Sequence, residues 1–381
     1  MDFLFPCFMV ALITGMSILA LKHIAPKIGL LDSPGGRKRH QGQVPLVGGL
    51  AILIGFLFTC LTVSWPLSPY KPFFACTILI VFLGIADDLH ELSPRLRLAG
   101  QAFIVLLAVF WGGNALHDLG DLFFMGNIHL GHLSLLFTLA AWLSFINASN
   151  MLDGTDGLAG SINLLQLGWL CVIAFLNGAN SDGFILLLFI TAIVVFLLFN
   201  FPYSFRKNMR IIPTVFRAAT RRDEAQQSCS PKDEGYKIFL GDAGSLLLGF
   251  IVAWFAIRFS QQGGHFPSPV VFLWITAVPL LDFFAVTIRR IRRSQSPLQG
   301  GRDHIHHILA ERGFSSLKIV LTMAMVSLIL ASIGLVLWVI HCPDGFSFLL
   351  LIALLIFYVQ QLSKQETKNA PITSHHPPGI E

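Results

Sequence analysis

Long apolar runs constrain this chain more than any other feature. Leu133 to Leu152 contains no charged residue, and neither does Gly157 to Ser181. Eleven such segments can be traced, with cores near residues 3–21, 46–65, 72–86, 98–113, 133–150, 158–177, 183–201, 243–262, 267–288, 319–340 and 346–362. The chain is 54% hydrophobic and only 12% charged, well below the charged fraction of soluble domains. One soluble core cannot hide that much apolar surface, so the expected fold class is an all-α polytopic membrane protein with about eleven transmembrane helices. The runs are continuous and not alternating, which argues against a transmembrane β-barrel. Met1 to Leu21 lacks a basic leader and a small-residue cleavage site, and is expected to be a first transmembrane helix. The six cysteines are scattered, mostly within apolar runs, and are expected as small core residues.

Lys and Arg set the orientation. With eleven spans, 24 of the 26 basic residues fall in the loops 22–44, 87–97, 151–157, 202–242 and 289–318 and in the tail 363–381, all on one side. Only Lys71 and Arg258 lie elsewhere. The positive-inside rule makes that side cytoplasmic and places the N-terminus outside. The expected organisation is one transmembrane domain over 1–362, with an extended cytoplasmic loop at 206–236 and a disordered tail at 363–381. Gly113 to His132 is expected to form a small hairpin or a re-entrant turn.

The unusual polar residues gather on that cytoplasmic side. Asn147-Ala-Ser-Asn150-Met-Leu-Asp153-Gly-Thr-Asp156-Gly lies at the seam of two apolar runs. Acids at a membrane edge are costly unless paired, hydrated or binding something, so they mark a functional site. Amides beside carboxylates suit a sugar phosphate, a nucleotide or the outer shell of a metal. Asp87-Asp88 ends another run, and adjacent carboxylates persist where a cation neutralises them or one holds a proton. Asp242 precedes a small-residue turn, Gly241-Asp-Ala-Gly-Ser245, and is either an N-cap or a Mg²⁺ ligand. Gly48-Gly49, after the basic Arg37-Lys-Arg39-His40, offers a candidate anion cradle at a helix start. Asp282, then Arg289 to Arg293, precede Arg302-Asp-His304-Ile-His306-His307. Those histidines read as phosphate contacts, as a metal site or as surface residues; they lack a zinc-protease spacing and have no Cys nearby.

Acids for a divalent cation, Arg and His for phosphate, and apolar walls for a lipid point to phosphoryl chemistry between a soluble donor and a lipid acceptor. In order along the chain, Arg37-Lys-Arg-His-Gln-Gly-x-Val-Pro-Leu-Val-Gly-Gly49, Asp87-Asp88, Asn147-Ala-x-Asn-Met-x-Asp-Gly-x-Asp-Gly-Leu158, Phe239-Leu-Gly-Asp-Ala-Gly-Ser245 and His304-Ile-His-His307 resemble the polyprenyl-phosphate N-acetylhexosamine-1-phosphate transferases. The resemblance covers about residues 29 to 314. It implies transfer of N-acetylglucosamine-1-phosphate from UDP-GlcNAc to undecaprenyl phosphate, with release of UMP. It further implies Mg²⁺ (or Mn²⁺) on Asp242 and catalytic roles for Asp87 and Asp88, with Asp87 as base or nucleophile. Asn147, Asn150, Asp153, Asp156, Arg302, His304, His306, His307, Arg39 and His40 would bind substrate. The expected setting is the bacterial inner membrane, at the start of O-antigen or related polysaccharide synthesis. A homodimer is allowed and no nucleic-acid partner is expected.

Two departures stand out. The family often has Asp or Asn where Glu91 stands, and the loop before Gly241 is long. Related muramoyl-pentapeptide transferases carry three consecutive His after a Pro; Ile305 interrupts that run here, which favours a simple N-acetylhexosamine. The alternatives are another UDP-N-acetylhexosamine donor and, from a different class, an ion-coupled transporter. A transporter would carry charges in mid-span and repeat symmetry, whereas these acids sit at span ends.

Overall fold

The computed structural model describes residues 3–32, 43–63, 68–201, 237–296, 301 and 303–369. Arg39, His40, Arg302 and the 206–236 loop lie outside the described residues. The elements are α1 (Leu4–Ile28), β1 (Leu31–Asp32), β2 (Val44–Pro45), α2 (Gly48–Thr62), α3 (Lys71–His90), α4 (Pro94–Phe110), α5 (Ser134–Met151), α6 (Leu158–Leu176), α7 (Asn180–Asn200), α8 (Gly241–Ser260), α9 (Pro269–Ile275), α10 (Ala277–Arg292), α11 (Ile305–Glu311), α12 (Ser316–Val339) and α13 (Asp344–Asn369). The two short strands pair antiparallel, Leu31 opposite Pro45 and Asp32 opposite Val44.

All eleven apolar segments become helical, and the chain is a multi-pass helical membrane protein. Among the described residues eight helices are long and apolar enough to cross a membrane, or nine if the bent pair α9–α10 is one span. At 15 and 17 residues, α2 and α4 are shorter than the ~20 that a perpendicular crossing needs. α9 and α10 meet at 85°. Pro279 accounts for the break, because it has no N–H to give the Ile275 carbonyl one turn earlier and its ring crowds that turn. α13 runs on to Asn369, past the point where the polar tail was expected to begin.

The bundle is organised around α8. Almost every residue of this helix is buried, and it packs against α2, α3, α5 and α6. Apolar residues on all faces demand such a central position. Close approach depends on small residues: a Cβ on Gly49 would run into the Gly244 backbone, and one on Gly84 into that of Ala243. Further along α8, Trp254 and Phe255 meet Phe73, and Trp142 packs on Phe250 and Trp254. Large apolar side chains such as Phe8, Leu61, Phe82, Phe103 and Phe110 face outward, which suits acyl chains and not water.

The end of the bundle away from the acidic motifs has its own polar ties. Arg258, one of the two basic residues outside the main distribution, pairs with buried Asp182 at 3.1 Å, and Tyr70 donates to the same carboxylate at 2.9 Å. Gly113 to His132 is hairpin-like, with a bridge between Asp118 and His129. The Gln261 side-chain oxygen accepts from the amides of His117 and Asp118 and anchors it.

Candidate active site

Four chain segments meet at the other end. α3 delivers Asp87 and Asp88 in its last turn, and the consecutive acids part company. Asp88 accepts from the amides of Asp242 (2.8 Å) and Ala243 (3.2 Å), and so caps α8 from a neighbouring helix. α8 has no side-chain cap of its own. An anion is unfavourable at the C-terminus of α3, but the N-terminus of α8 compensates it. Asp87 turns the other way. It is buried, accepts from the Leu92 amide at 2.9 Å and pairs with Arg97 of α4 at 3.0 Å. Arg97 keeps a buried Nε–H without a partner among the described residues.

The first turn of α8 presents Asp242. Its Oδ1 accepts from Asn150 of α5 at 2.6 Å, and the same amide donates to Ser245 at 2.8 Å. Asn147, one turn earlier, donates to Gln101 of α4 (2.7 Å) and to the Leu143 carbonyl (2.8 Å), so among the described residues its side-chain hydrogen bonds tie α5 to α4 and do not reach the acids.

The turn between α5 and α6 carries Asp153 and Asp156. Asp156 pairs with Lys237 at 2.9 Å. Asn200, at the end of α7, accepts from the Gly157 amide at 2.6 Å and donates to the Ile238 carbonyl at 2.8 Å, joining this turn to the segment that leads into α8. Gly157 has a φ of +78°, which favours glycine. The Asp153 carboxyl is pushed well above the ordinary carboxylate range, first by lost hydration and then by the charges of Asp242, Asp88, Asp156 and Asp32. The residue retains exposed surface, and the like charges around its carboxyl favour a bound cation there.

The histidine loop closes the cluster from the far side. His304 is buried and bonds through Nδ1 to Asp282 at 2.7 Å. Buried His306 lies beside both neighbouring imidazoles and against the acidic turn, where a Cβ on Gly154 would come 2.5 Å from its Nε2. Neither His306 nitrogen has a partner among the described residues. Burial, helped by His307, lowers its pKa from the usual 6.5 to about 3, so the ring is neutral. Arg290 pairs with Asp303 at 3.2 Å and Arg289 donates to the Asp303 carbonyl at 3.4 Å, which fixes the base of the loop.

The structure thus brings Asp88, Asn150, Asp153, Asp156 and Asp242 together, with the three histidines behind them. One expectation is corrected. The Gly48 and Gly49 amides donate to the carbonyls of Phe239 and Leu240, both at 3.0 Å, so they do not form an anion cradle. Gly49 serves the close approach to α8, and Gly48 fits against Phe196 of α7 and the Phe239 carbonyl. Asp32, Lys237 and Asn200 belong to the site region and were missed as site residues. Asp32 and Lys237 stand a few residues before two of the quoted motifs, but Asn200 carries no local signal beyond being polar at the end of an apolar run.

Crowded carboxylates fit a divalent cation. Among the described residues no group of three or more His, Cys, Asp or Glu could hold a metal ion by itself. Mg²⁺ commonly takes one or two carboxylates and completes its shell with water and substrate phosphates, and Asp242 beside Asp88 and Asp153 suits that mode. Cavities of about 350 and 520 Å³ lie at the opposite end of the bundle, lined by residues such as Trp338 and Asp344 or Asn177 and His265, and contain none of these acids.

Comparison with known proteins gives the family. Residues 71–260 match Glycosyl transferase family 4. The undecaprenyl-phosphate alpha-N-acetylglucosaminyl 1-phosphate transferase of Escherichia coli (strain K12) is 32% identical over 359 residues, covering 94% of this chain and 90% of the relative. The proteins of the same name from Yersinia pestis and Haemophilus influenzae are each 32% identical, over 84% and 91% of this chain and 80% and 90% of their own lengths. The chain belongs to glycosyl transferase family 4.

Proposed function

We propose that this protein transfers N-acetylglucosamine-1-phosphate from UDP-GlcNAc to undecaprenyl phosphate, forming undecaprenyl-diphosphate-GlcNAc and releasing UMP. One observation carries the reading: Asp88, Asn150, Asp153 and Asp242 converge where α3 and α5 end and α8 begins, at the side rich in Lys and Arg. The proposed frame is eleven spans in the bacterial inner membrane, N-terminus outside and site facing the cytoplasm, because 24 of 26 basic residues lie on that side. The pathway is O-antigen or a related surface polysaccharide.

The roles follow from charge and place. Asp242 holds Mg²⁺, which supplies charge neutralisation to the diphosphate when bound. Asn150 orients Asp242. Asp153 and Asp156 line the nucleotide-sugar pocket, with Lys237 holding Asp156 and Asn147 supporting Asn150 from one turn below. Asp87 and Asp88 flank the reacting phosphates. The ion pair with Arg97 orients the Asp87 carboxylate for its role as base toward the lipid phosphate or nucleophile toward the donor. The P–O bond to UMP breaks as the sugar-bearing phosphorus gains the lipid phosphate oxygen. His304, His307, Arg302, Arg39 and His40 contact the donor, and His306 backs the acidic turn.

The test uses the purified full chain with undecaprenyl phosphate, Mg²⁺ and labelled UDP-GlcNAc. UMP release and a lipid-linked product that disappear on chelation are expected. No lipid-linked product with UDP-GlcNAc, UDP-GalNAc or related donors would refute the reading.

A further inference from the structure

Asp282 stands inside α10, just past the bend, and is buried. A buried carboxylate is costly unless its oxygens are satisfied. Here three donors satisfy it, from two other parts of the chain. His304 Nδ1 lies 2.7 Å from Oδ2, and the Ile305 amide and the Tyr358 hydroxyl donate to Oδ1 at 3.1 and 2.8 Å. Tyr358 comes from α13, whose inner half packs on α10 and α11 through Val359, Leu362, Ala285 and Ile308. The same carboxylate thus holds the start of α11, the histidine loop and the last helix.

The arrangement at His304 is chemically specific. A carboxylate on one imidazole nitrogen fixes the tautomer and ring orientation, and leaves the other nitrogen for a ligand. Nδ1 faces Asp282, so that nitrogen carries the proton. Nε2 makes no hydrogen bond among the described residues. The ring lies nearly parallel to that of His306, 8° apart with centroids 5.9 Å apart, and His306 in turn rests on Gly154 of the acidic turn. The orientation of His304 is therefore fixed at one nitrogen by the carboxylate, with the His306 imidazole beside it.

We infer that Asp282 is a positioning residue for the transferase reaction: it holds His304 through Nδ1–H so that Nε2 meets the diphosphate–sugar donor, and Tyr358 completes the carboxylate's bonding from the last helix. The inference rests on the donor-binding role proposed above for the histidine loop. Asp282 touches no substrate in this scheme and acts only through His304.

A double-mutant cycle reads that dependence. UDP-GlcNAc binding to the full chain in detergent is measured by calorimetry for wild type, Asp282→Asn, His304→Ala and the double variant. Asp282→Asn is expected to weaken donor binding ~10-fold, the lower range for loss of a residue that orients a ligating histidine. In the His304→Ala background the same change is expected to cost less than about twofold. An equal loss in both backgrounds means a structural role only and overturns the inference, as does no loss in either. Tyr358→Phe keeps the charge and removes one hydrogen bond; if Asp282→Asn does not elute as a folded species, Tyr358→Phe replaces it in the cycle and is judged in the same way. Wild-type protein that neither binds UDP-GlcNAc nor releases UMP refutes the functional reading instead.

Discussion

Removing the Asp88 side chain should damage the fold before it damages any chemistry. Its two oxygens take the first free amides of α8, at 2.8 and 3.2 Å, and α8 supplies no cap of its own. Hydrogen bonds to a charged acceptor contribute about 1.5–3 kcal/mol each. The anion's position at a helix N-terminus adds about 0.3–1 kcal/mol. Asp88 is half-buried, so water can reach the amides once the carboxylate is gone and recovers part of that sum. We expect Asp88→Ala to cost about 2–4 kcal/mol and Asp88→Asn, which keeps one acceptor, about 1–2 kcal/mol. Denaturant unfolding in detergent, followed by tryptophan fluorescence, measures both, with Glu91→Ala as an exposed control on the same turn. Asp88→Ala within 0.5 kcal/mol of wild type, roughly the size of an ordinary surface change, would refute the cap. If the cap holds, an inactive Asp88→Ala says nothing about catalysis, and the folded Asp88→Asn protein is the one in which turnover should be judged.

Asp242→Asn should abolish UMP release while the protein still elutes as a folded species; near-normal turnover would remove Asp242 as the essential metal ligand. Asn200→Ala should lose two buried hydrogen bonds and destabilise by about 2–4 kcal/mol, with weaker donor binding, because the acidic turn is no longer tied to the entry of α8; a change under ~0.5 kcal/mol in unfolding would contradict this. Gly154→Ala drives a methyl group toward His306 Nε2 and should cost about 1–3 kcal/mol and shift donor affinity, read by calorimetry. The His306 ring is neutral when folded, with its pKa lowered from 6.5 to about 3, so acid favours the unfolded chain as pH falls from 6.5 toward 3 and has no effect through this group above 6.5. The stability difference between wild type and His306→Phe should therefore drift against wild type by about 1 kcal/mol per pH unit below pH 6, and a difference independent of pH would count against the buried neutral ring.

Much of the fold could be read because apolar runs and basic loops are one-dimensional signals. Each run becomes a helix, and the acids that collect at the basic side also collect in space. What could not be read depends on rotation and contact. Asp87 and Asp88 are neighbours in sequence, yet a ~100° step around the helix sends one to Arg97 and the other to the amides of α8. Gly48-Gly49 carries the same letters as a phosphate loop, but its amides are taken by residues nearly 200 positions away. Pro279 does announce the bend in its segment, while nothing near it announces that Asp282 will meet His304 and Tyr358. Glu91 shows how a departure from the expected pattern can have a backbone explanation. It caps α3 at a φ of +46°, a left-handed geometry that Asn and Asp adopt more readily than Glu, and its side chain is exposed. Backbone conformation is thus sufficient reason for the Asp or Asn that the resemblance leads one to expect at this position, with no catalytic role required of the side chain.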